Sequence, residues 1–295
     1  MTRKKRIILL KSLIRLIEIK TKNAKQEFNM LTFFIITLIV GSIVGFLAGI
    51  FGIGGGLVIV PTLLYLLPMV GVPDEKLMAT ALGTSFATII ITSLASAYRH
   101  NKLGNVVWEA VKYLAPTLVI ATFISGLFIG KLPKDISSKL FACLVVYLAA
   151  KMVLSIRNKK SKTPAKPLTP QSTILGGILI GIASSAAGIG GGSFIVPFLN
   201  SRGIEMRKSV GSSSFCGAFL GLAGMLSFMI GGWSVEGMPD WSLGYIYLPA
   251  VLGITLTSFF TSKFGAEMAN KLPVASLKRY FAIFLILMAI KMLIG

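Results

Sequence analysis

Two short glycine clusters have the composition and spacing of a site that binds an anion through its backbone. The clusters are FGIGGG at residues 51–56 and AGIGGG at residues 187–192, and a proline, Pro61 or Pro197, follows each of them five positions later. A glycine inside a helix costs about 1 kcal/mol relative to alanine, so three consecutive glycines predict a break in each helix. A helix that restarts after such a break points unpaired N–H groups and a partial positive charge at the gap, which favours an anion there.

A second pair of matching stretches supplies hydroxyl groups. The stretches are ATALGTSF at residues 79–86 and KSVGSSSF at residues 208–215. In each of them two hydroxyl residues stand four positions apart, so they share one helix face. These hydroxyls suit the coordination of sulfite or sulfonate oxygens, and hydrogen bonding between helices, worth about 0.6 kcal/mol per bond, explains them equally well. The candidate substrate-binding residues are Gly52, Gly54, Gly55, Gly56, Pro61, Thr80, Thr84, Ser85, Gly188, Gly190, Gly191, Gly192, Pro197, Ser209, Ser213 and Ser214.

Close helix packing is the alternative explanation for glycines in an apolar chain. Gly41, Gly45 and Gly49 stand four residues apart, which is typical of a small-residue face that packs against a neighbouring helix. The two consecutive triplets fit a break beside a substrate path better than they fit packing alone. A nucleotide-binding loop is disfavoured, because no Gly-Lys-Ser or Gly-Lys-Thr sequence follows either cluster.

The elements that carry these clusters are predicted to be membrane-spanning helices. Of the 295 residues, 54% are hydrophobic and 14% are charged, with a mean hydropathy of +0.81, whereas about a quarter of the residues of a soluble domain are charged. Stretches of about 18 apolar residues are long enough to cross a bilayer. We therefore predict an all-α, multi-pass protein of the cytoplasmic membrane with about eight transmembrane segments. The apolar stretches are residues 31–50, 77–97, 113–130, 140–156, 173–199, 209–232, 243–262 and 280–294.

The distribution of charge argues against a nucleic-acid partner, although the net charge is +20. The lysines and arginines stand in short gaps between apolar stretches and in one N-terminal tail, which is typical of cytoplasmic loops. Cys143 and Cys216 lie inside apolar stretches, so neither a disulfide framework nor a zinc site is expected. The one histidine, His100, is predicted to be a solvated loop residue. With no base beside Ser213 or Ser214 and no ligand cluster, we expect no catalytic residues, no metal and no cofactor.

The chain is predicted to contain two homologous membrane repeats, residues 30–156 and 173–295, joined by a basic linker at residues 157–172. The glycine clusters recur at one constant offset, and the blocks at 131–152 and 271–292 both begin with KLP and end with KM. Two orientations of the repeats are open. Inverted repeats place twelve Lys or Arg in cytoplasmic loops and four outside, whereas parallel repeats give seven and nine. Since positive charge favours the cytoplasmic side, inversion is the favoured prediction.

The N-terminal 29 residues differ from the rest of the chain. Residues 1–29 are basic and have the pattern of an amphipathic helix that lies on an anionic membrane surface. The inverted arrangement would place their nine Lys or Arg outside, against the charge preference. That conflict disappears if translation starts at Met30, which is an equally good interpretation of the segment.

The repeated motifs resemble those of the TauE/SafE (sulfite exporter, TSUP) family of membrane permeases. The resemblance rests on the glycine ladder that leads into GIGGG and VP, on GTS and SSS in the next segment, and on LP before the last. It covers residues 30–295, whereas residues 1–29 are not part of the family pattern. The resemblance implies transport of a small sulfur-containing or organic anion by alternating access.

Alternatives to this function remain open at the level of sequence. An anion channel on the same scaffold is one, and an intramembrane enzyme is a weaker one. The expected partners are a small anionic substrate and the lipid bilayer. The sequence leaves open which anion is carried, the direction and coupling ion, and whether the chain forms a homo-oligomer.

Overall fold

The computed structural model describes residues 30–52, 54–157 and 168–268, together with Ile283 and Ile286. The described chain is helical nearly throughout, as predicted, and a short two-stranded hairpin that the sequence did not indicate precedes the last described helix. The helices are α1 (Met30–Phe51), α2 (Gly56–Leu66), α3 (Leu77–Lys102), α4 (Trp108–Ile129), α5 (Lys134–Arg157), α6 (Pro170–Ala187), α7 (Gly192–Ser201), α8 (Met206–Gly231) and α9 (Leu248–Met268), and the strands are β1 (Ser242–Leu243) and β2 (Ile246–Tyr247).

Five of the described helices are long and apolar enough to cross a membrane: α1, α3 with the 3-10 turn before it, α4, α6 and α8. They make the chain an integral membrane protein. The predicted N-terminal segment, most of the linker and the last predicted span at 280–294 lie almost wholly outside the described residues. The number of eight segments therefore stays a prediction.

Both glycine clusters interrupt a helix. The first membrane helix stops at Phe51 and the chain restarts as α2 at Gly56. The apolar stretch 173–199, predicted as one segment, is likewise divided, since α6 ends at Ala187 and α7 begins at Gly192. Left-handed backbone, which glycine adopts without strain, turns the chain at each break. The residues with positive φ there are Gly52, Gly54, Gly55, Gly188 and Gly191.

Both half-helices continue past their prolines. Pro61 lies inside α2, which continues to Leu66, and Pro197 lies inside α7, which continues to Ser201. Each stands in the second turn of a short helix, where the missing N–H removes one backbone bond without stopping the helix.

The two predicted repeats meet along α3 and α8, which run antiparallel at the centre of the bundle. The rings of Phe86 and Phe228 lie 5.8 Å apart, and the hydroxyls of Ser96 and Ser214 are 3.0 Å apart. Residue numbers rise along α3 as they fall along α8, so the two helices point in opposite directions.

One helix of each predicted repeat also packs against an outer helix of the other. Gly41 of α1 packs on Ile254 of α9, and Gly49 packs on Ser262, so these two helices run parallel. On the opposite side, α4 and α6 run parallel too. There Thr122 donates to the Gly181 carbonyl at 3.2 Å, and the hydroxyls of Ser125 and Ser185 are 2.7 Å apart.

Two faces of α1 each carry one residue type at a four-residue spacing. Ile35, Ile39 and Ile43 are about half exposed on the outward face. Gly41 and Gly45, at the same four-residue spacing, lie against α9, where an added Cβ would overlap its backbone and threonine side chains. The face without side chains allows the close approach, and the isoleucine face is left for lipid.

Candidate anion-binding site

The two helix breaks contact each other at the centre of the bundle, although they are 136 residues apart in sequence. A Cβ built on Gly54 would lie 3.2 Å from the Gly190 Cα. A Cβ on Gly56 would overlap the Gly188 carbonyl oxygen and lie 2.9 Å from the Ile189 Cα. Glycine is therefore needed at positions 54 and 56, because the backbone of the second break lies against them.

The half-helices that follow the breaks begin without a side-chain cap. Gly55 is the N-cap of α2 and Gly191 the N-cap of α7, and no described side chain bonds to the first-turn N–H groups of either helix. The first N–H groups of a helix have no partner within it. They give each half-helix a partial positive charge at its start. The two breaks thus present two such starts to one central region.

Each central helix stabilises the break of the other repeat. Ser85 of α3 donates to the Gly188 carbonyl at 2.7 Å, and Ser213 of α8 donates to the Gly52 carbonyl at 3.1 Å. These carbonyls lose their helical partners where the helix is interrupted, and an unpaired carbonyl inside a membrane protein is costly. The two hydroxyls therefore replace helical hydrogen bonds that the broken backbone lacks.

The other predicted hydroxyls lie near the same region without touching a break through a hydrogen bond. Thr80 and Ser209 bond to backbone carbonyls just before them in the chain. Thr84 accepts from the Tyr247 N–H at 3.0 Å, which places it at the hairpin. The Ser214 hydroxyl bonds to the Ser96 hydroxyl and to the Val210 carbonyl, one turn earlier in α8. The Ser214 oxygen is 3.3 Å from a Cβ built on Gly52.

Hydroxyls that sequence analysis did not select also reach the breaks. Thr92 donates to the Gly54 carbonyl at 3.2 Å, and the Ser93 oxygen would lie 3.3 Å from a Cβ on Gly54. Ser184, one turn before the second break, has a buried hydroxyl with no partner among the described residues. The sequence signal for Thr92 was available, since Ser85, Thr88, Thr92 and Ser96 recur every three or four residues along α3.

The site is enclosed at both ends of the bundle. All candidate residues are buried except Pro197, which is partly exposed. At one end the hairpin covers α3, where the Tyr245 carbonyl carbon lies 3.2 Å from a Cβ built on Gly83. At the other end residues 103–107, here named the 103–107 loop, cover the start of α8, and Val107 N–H donates to Ser212 at 2.8 Å.

Charged side chains lie at the ends of the bundle. Arg99 pairs with Glu267 at 3.0 Å, and Lys134 pairs with Asp74. None of the described residues that touch the breaks carries a formal charge. A partial positive charge among these residues can therefore come only from the backbone dipoles.

His100 differs from its prediction as a solvated loop residue. It lies in the last turn of α3 and is only 2% exposed. Its Nε2 is 3.4 Å from the Gly49 carbonyl, and its Nδ1 is 3.4 Å from the Asn105 side chain. The basic sequence around it, YRHNK, did not indicate this, because α3 continues past the apolar stretch to Lys102.

Removing either cross-repeat hydroxyl is expected to destabilise the protein. Ser85→Ala or Ser213→Ala leaves a buried carbonyl unpaired, which costs about 1–3 kcal/mol. Ser42→Ala is the control, because the Ser42 hydroxyl bonds only to Leu38 in its own helix. Thermal unfolding in detergent should show a lower midpoint for the first two variants than for the control, and equal midpoints for all three would contradict the role given to these hydroxyls.

Comparison with known proteins places this architecture in a transporter family. The model of the sulfite exporter TauE/SafE family matches residues 37–292. A probable membrane transporter protein of Haemophilus influenzae is 65% identical over 263 residues, covering 89% of this chain and 99% of that protein. A probable membrane transporter protein of Methanocaldococcus jannaschii is 30% identical over 271 residues, covering 92% and 99%. No solved structure matches the chain.

Proposed function

Because this chain belongs to the sulfite exporter TauE/SafE family of membrane transporters, we propose that it is a permease of the cytoplasmic membrane for a small sulfur-containing or organic anion. The model substrates are sulfite and sulfonates. One observation carries the proposal. The uncapped starts of two half-helices, α2 and α7, follow breaks that touch each other inside the bundle.

Backbone amides suit a carrier for an oxyanion. The first two amide N–H groups of each half-helix can donate to the oxygens of a sulfite or sulfonate group, and the helix dipoles add a partial positive charge. A lysine or arginine in the same place would bind the anion through a full charge. A site that must release its ligand on the other side of the membrane benefits from the weaker field of dipoles, since binding that is too tight slows release.

The arrangement of helices supports inverted repeats that move against each other. The antiparallel pair α3 and α8, and the parallel pairs α1 with α9 and α4 with α6, are the relations expected when one repeat, residues 30–156, is turned over relative to the other, residues 173–295. Inverted repeats with broken helices are typical of carriers that alternate their access around a central site. The hairpin and the 103–107 loop are then the two gates.

The distribution of positive charge supports one orientation of the protein in the membrane. The loops at the end that holds the 103–107 loop carry most of the lysines and arginines, so we propose that this end faces the cytoplasm. The enclosure of the site at both ends favours a carrier over an open anion pore.

Uptake by proteoliposomes tests the proposal. The purified chain is reconstituted and supplied with labelled sulfite, thiosulfate, methanesulfonate or sulfate, with and without an imposed pH gradient. We expect saturable uptake of at least one sulfite or sulfonate, above that of protein-free liposomes. Uptake of none of these anions would contradict the substrate class, and large single-channel currents would contradict the carrier mechanism.

A further inference from the structure

The one histidine of the chain lies at the loop that closes the proposed cytoplasmic gate. His100 contacts two different elements, the end of α1 through the Gly49 carbonyl and the 103–107 loop through the side chain of Asn105. The backbone N–H of Asn105 also donates to the His100 carbonyl at 2.9 Å. The imidazole therefore joins the helix that leads into the first break to the loop that covers α8.

The two ring contacts define a neutral imidazole. A carbonyl oxygen can only accept, so Nε2 carries the hydrogen that faces Gly49. Nδ1 is then an acceptor, and the Asn105 amide nitrogen donates to it. Both contacts are 3.4 Å long and both are satisfied without a charge on the ring.

The 103–107 loop depends on a small number of further contacts. Val107 N–H donates to the Ser212 hydroxyl at 2.8 Å, and the backbone of Asn105 lies against Gly211, where an added Cβ would be 2.8 Å from the Asn105 carbonyl carbon. The bond between the Asn105 side chain and His100 is thus one of the contacts that hold the loop where it covers the start of α8.

Among the described residues no carboxylate pairs with the His100 ring, and Glu109 in the first turn of α4 is exposed. The last turn of α1 has no titratable side chain, and on α9 Glu267 is paired with Arg99 while Lys263 lies 3.8 Å from the centre of the Phe259 ring. On α3 itself Lys102 lies 4.6 Å from the centre of the Tyr98 ring. The titratable groups at the start of α8 are exposed: Glu205, Arg207 and Lys208.

We propose that His100 is a proton-binding site that controls the cytoplasmic gate: the neutral ring holds the 103–107 loop closed, and protonation releases it. Protonation of a buried ring that has no carboxylate partner is costly, and it removes the acceptor to which the Asn105 amide nitrogen bonds. Both effects are relieved when the loop opens and water reaches the ring. This inference rests on the proposed function, because it treats the loop as one of two gates.

The direct test measures the distance between two spin labels on either side of the proposed gate, and it needs no substrate. Spin labels are placed on exposed positions by Leu103→Cys and Ser201→Cys, with Cys143→Ser, in the full chain carrying no histidine tag. When the pH falls through the range where histidine titrates, about 8 to 5, we expect the distance between the labels to lengthen in the parent protein. With His100→Gln the distance should not change with pH, because the glutamine amide can bond to Gly49 but stays neutral.

A second variant separates proton binding from loss of folding. Asn105→Asp keeps the histidine and offers its protonated ring an acceptor, so the loop should stay closed at acid pH. A distance that lengthens with acid in the His100→Gln variant as it does in the parent would overturn the proposal. A parent whose distance does not respond to pH would overturn it as well.

The functional test measures how the rate of methanesulfonate uptake depends on pH. The charge of methanesulfonate does not change over this pH range. We expect the parent rate to rise as the pH falls, by up to about tenfold per pH unit, the limit for one titrating group, and the rise to be absent with His100→Gln. Uptake that is independent of pH in the parent would overturn the proton site and leave the permease standing. If none of the tested anions is transported, the permease proposal fails and the label distances alone decide on His100.

Discussion

Replacing Gly56 with alanine is expected to reduce anion uptake about tenfold to a hundredfold. The added Cβ would overlap the Gly188 carbonyl oxygen and force the two helix breaks apart. Inserting one methyl group into a packed contact costs about 1–3 kcal/mol, and each 1.4 kcal/mol is a factor of ten. Gly56 does not have a positive φ, so backbone strain adds nothing to this effect.

The experiment compares initial rates of uptake per folded protein in proteoliposomes. Gly231→Ala is the matched control, since Gly231 also lies in a helix, without a positive φ, and has no atom within 4 Å of an added Cβ. We expect the control to transport within about twofold of the parent, because an alanine is favoured over a glycine in a helix. If Gly56→Ala transports at the rate of Gly231→Ala, contact between the breaks does not shape the site.

Replacing Gly45 with leucine is expected to prevent stable folding of the membrane bundle. Gly45 lies where α1 crosses α9. A Cβ added at Gly45 would already lie 2.6 Å from the Ser258 Cα and would overlap the Thr261 hydroxyl oxygen. A leucine there must separate two helices that pack through small residues. Overpacking of one methylene group already costs about 1–3 kcal/mol, so four added carbons should exceed what the interface can absorb.

Ala150→Leu is the control for the second experiment. Ala150 is exposed on α5, so a leucine there extends from the surface of the bundle. The measurement is the yield of monodisperse protein together with the midpoint of thermal unfolding. We expect Gly45→Leu to lose yield and midpoint while Ala150→Leu keeps both. A Gly45→Leu protein as stable as the control would show that α1 and α9 are not in close contact.

The two glycine experiments separate two uses of the same residue type. Gly45 belongs to an interface, and its replacement should act on folding. Gly56 belongs to the touching breaks, and its replacement should act chiefly on transport by protein that still folds. The sequence predicts packing for the ladder and a substrate site for the triplets. The contacts of Gly45 with α9 agree with the first prediction, and the second stays a prediction.

The sequence by itself determined the properties that depend on local chemistry. Long apolar stretches with few charged residues indicate membrane helices, because a segment must be apolar over its whole length to cross the bilayer core. Consecutive glycines located both breaks, since three glycines cannot maintain a helix in either copy. The repeated motifs indicated the family, which the comparisons confirm.

Only the tertiary structure decided which groups lie together. Ser85 could have faced the break of its own repeat, but it bonds to Gly188 of the other one. His100 stands in a sequence that is typical of a solvated loop, yet α1 and the 103–107 loop bury it. The physical reason is the same in both cases. Helical spacing fixes which residues share a face. The element that packs on that face depends on how whole helices cross, and the crossings of α3 with α8, α1 with α9 and α4 with α6 join one predicted repeat to the other.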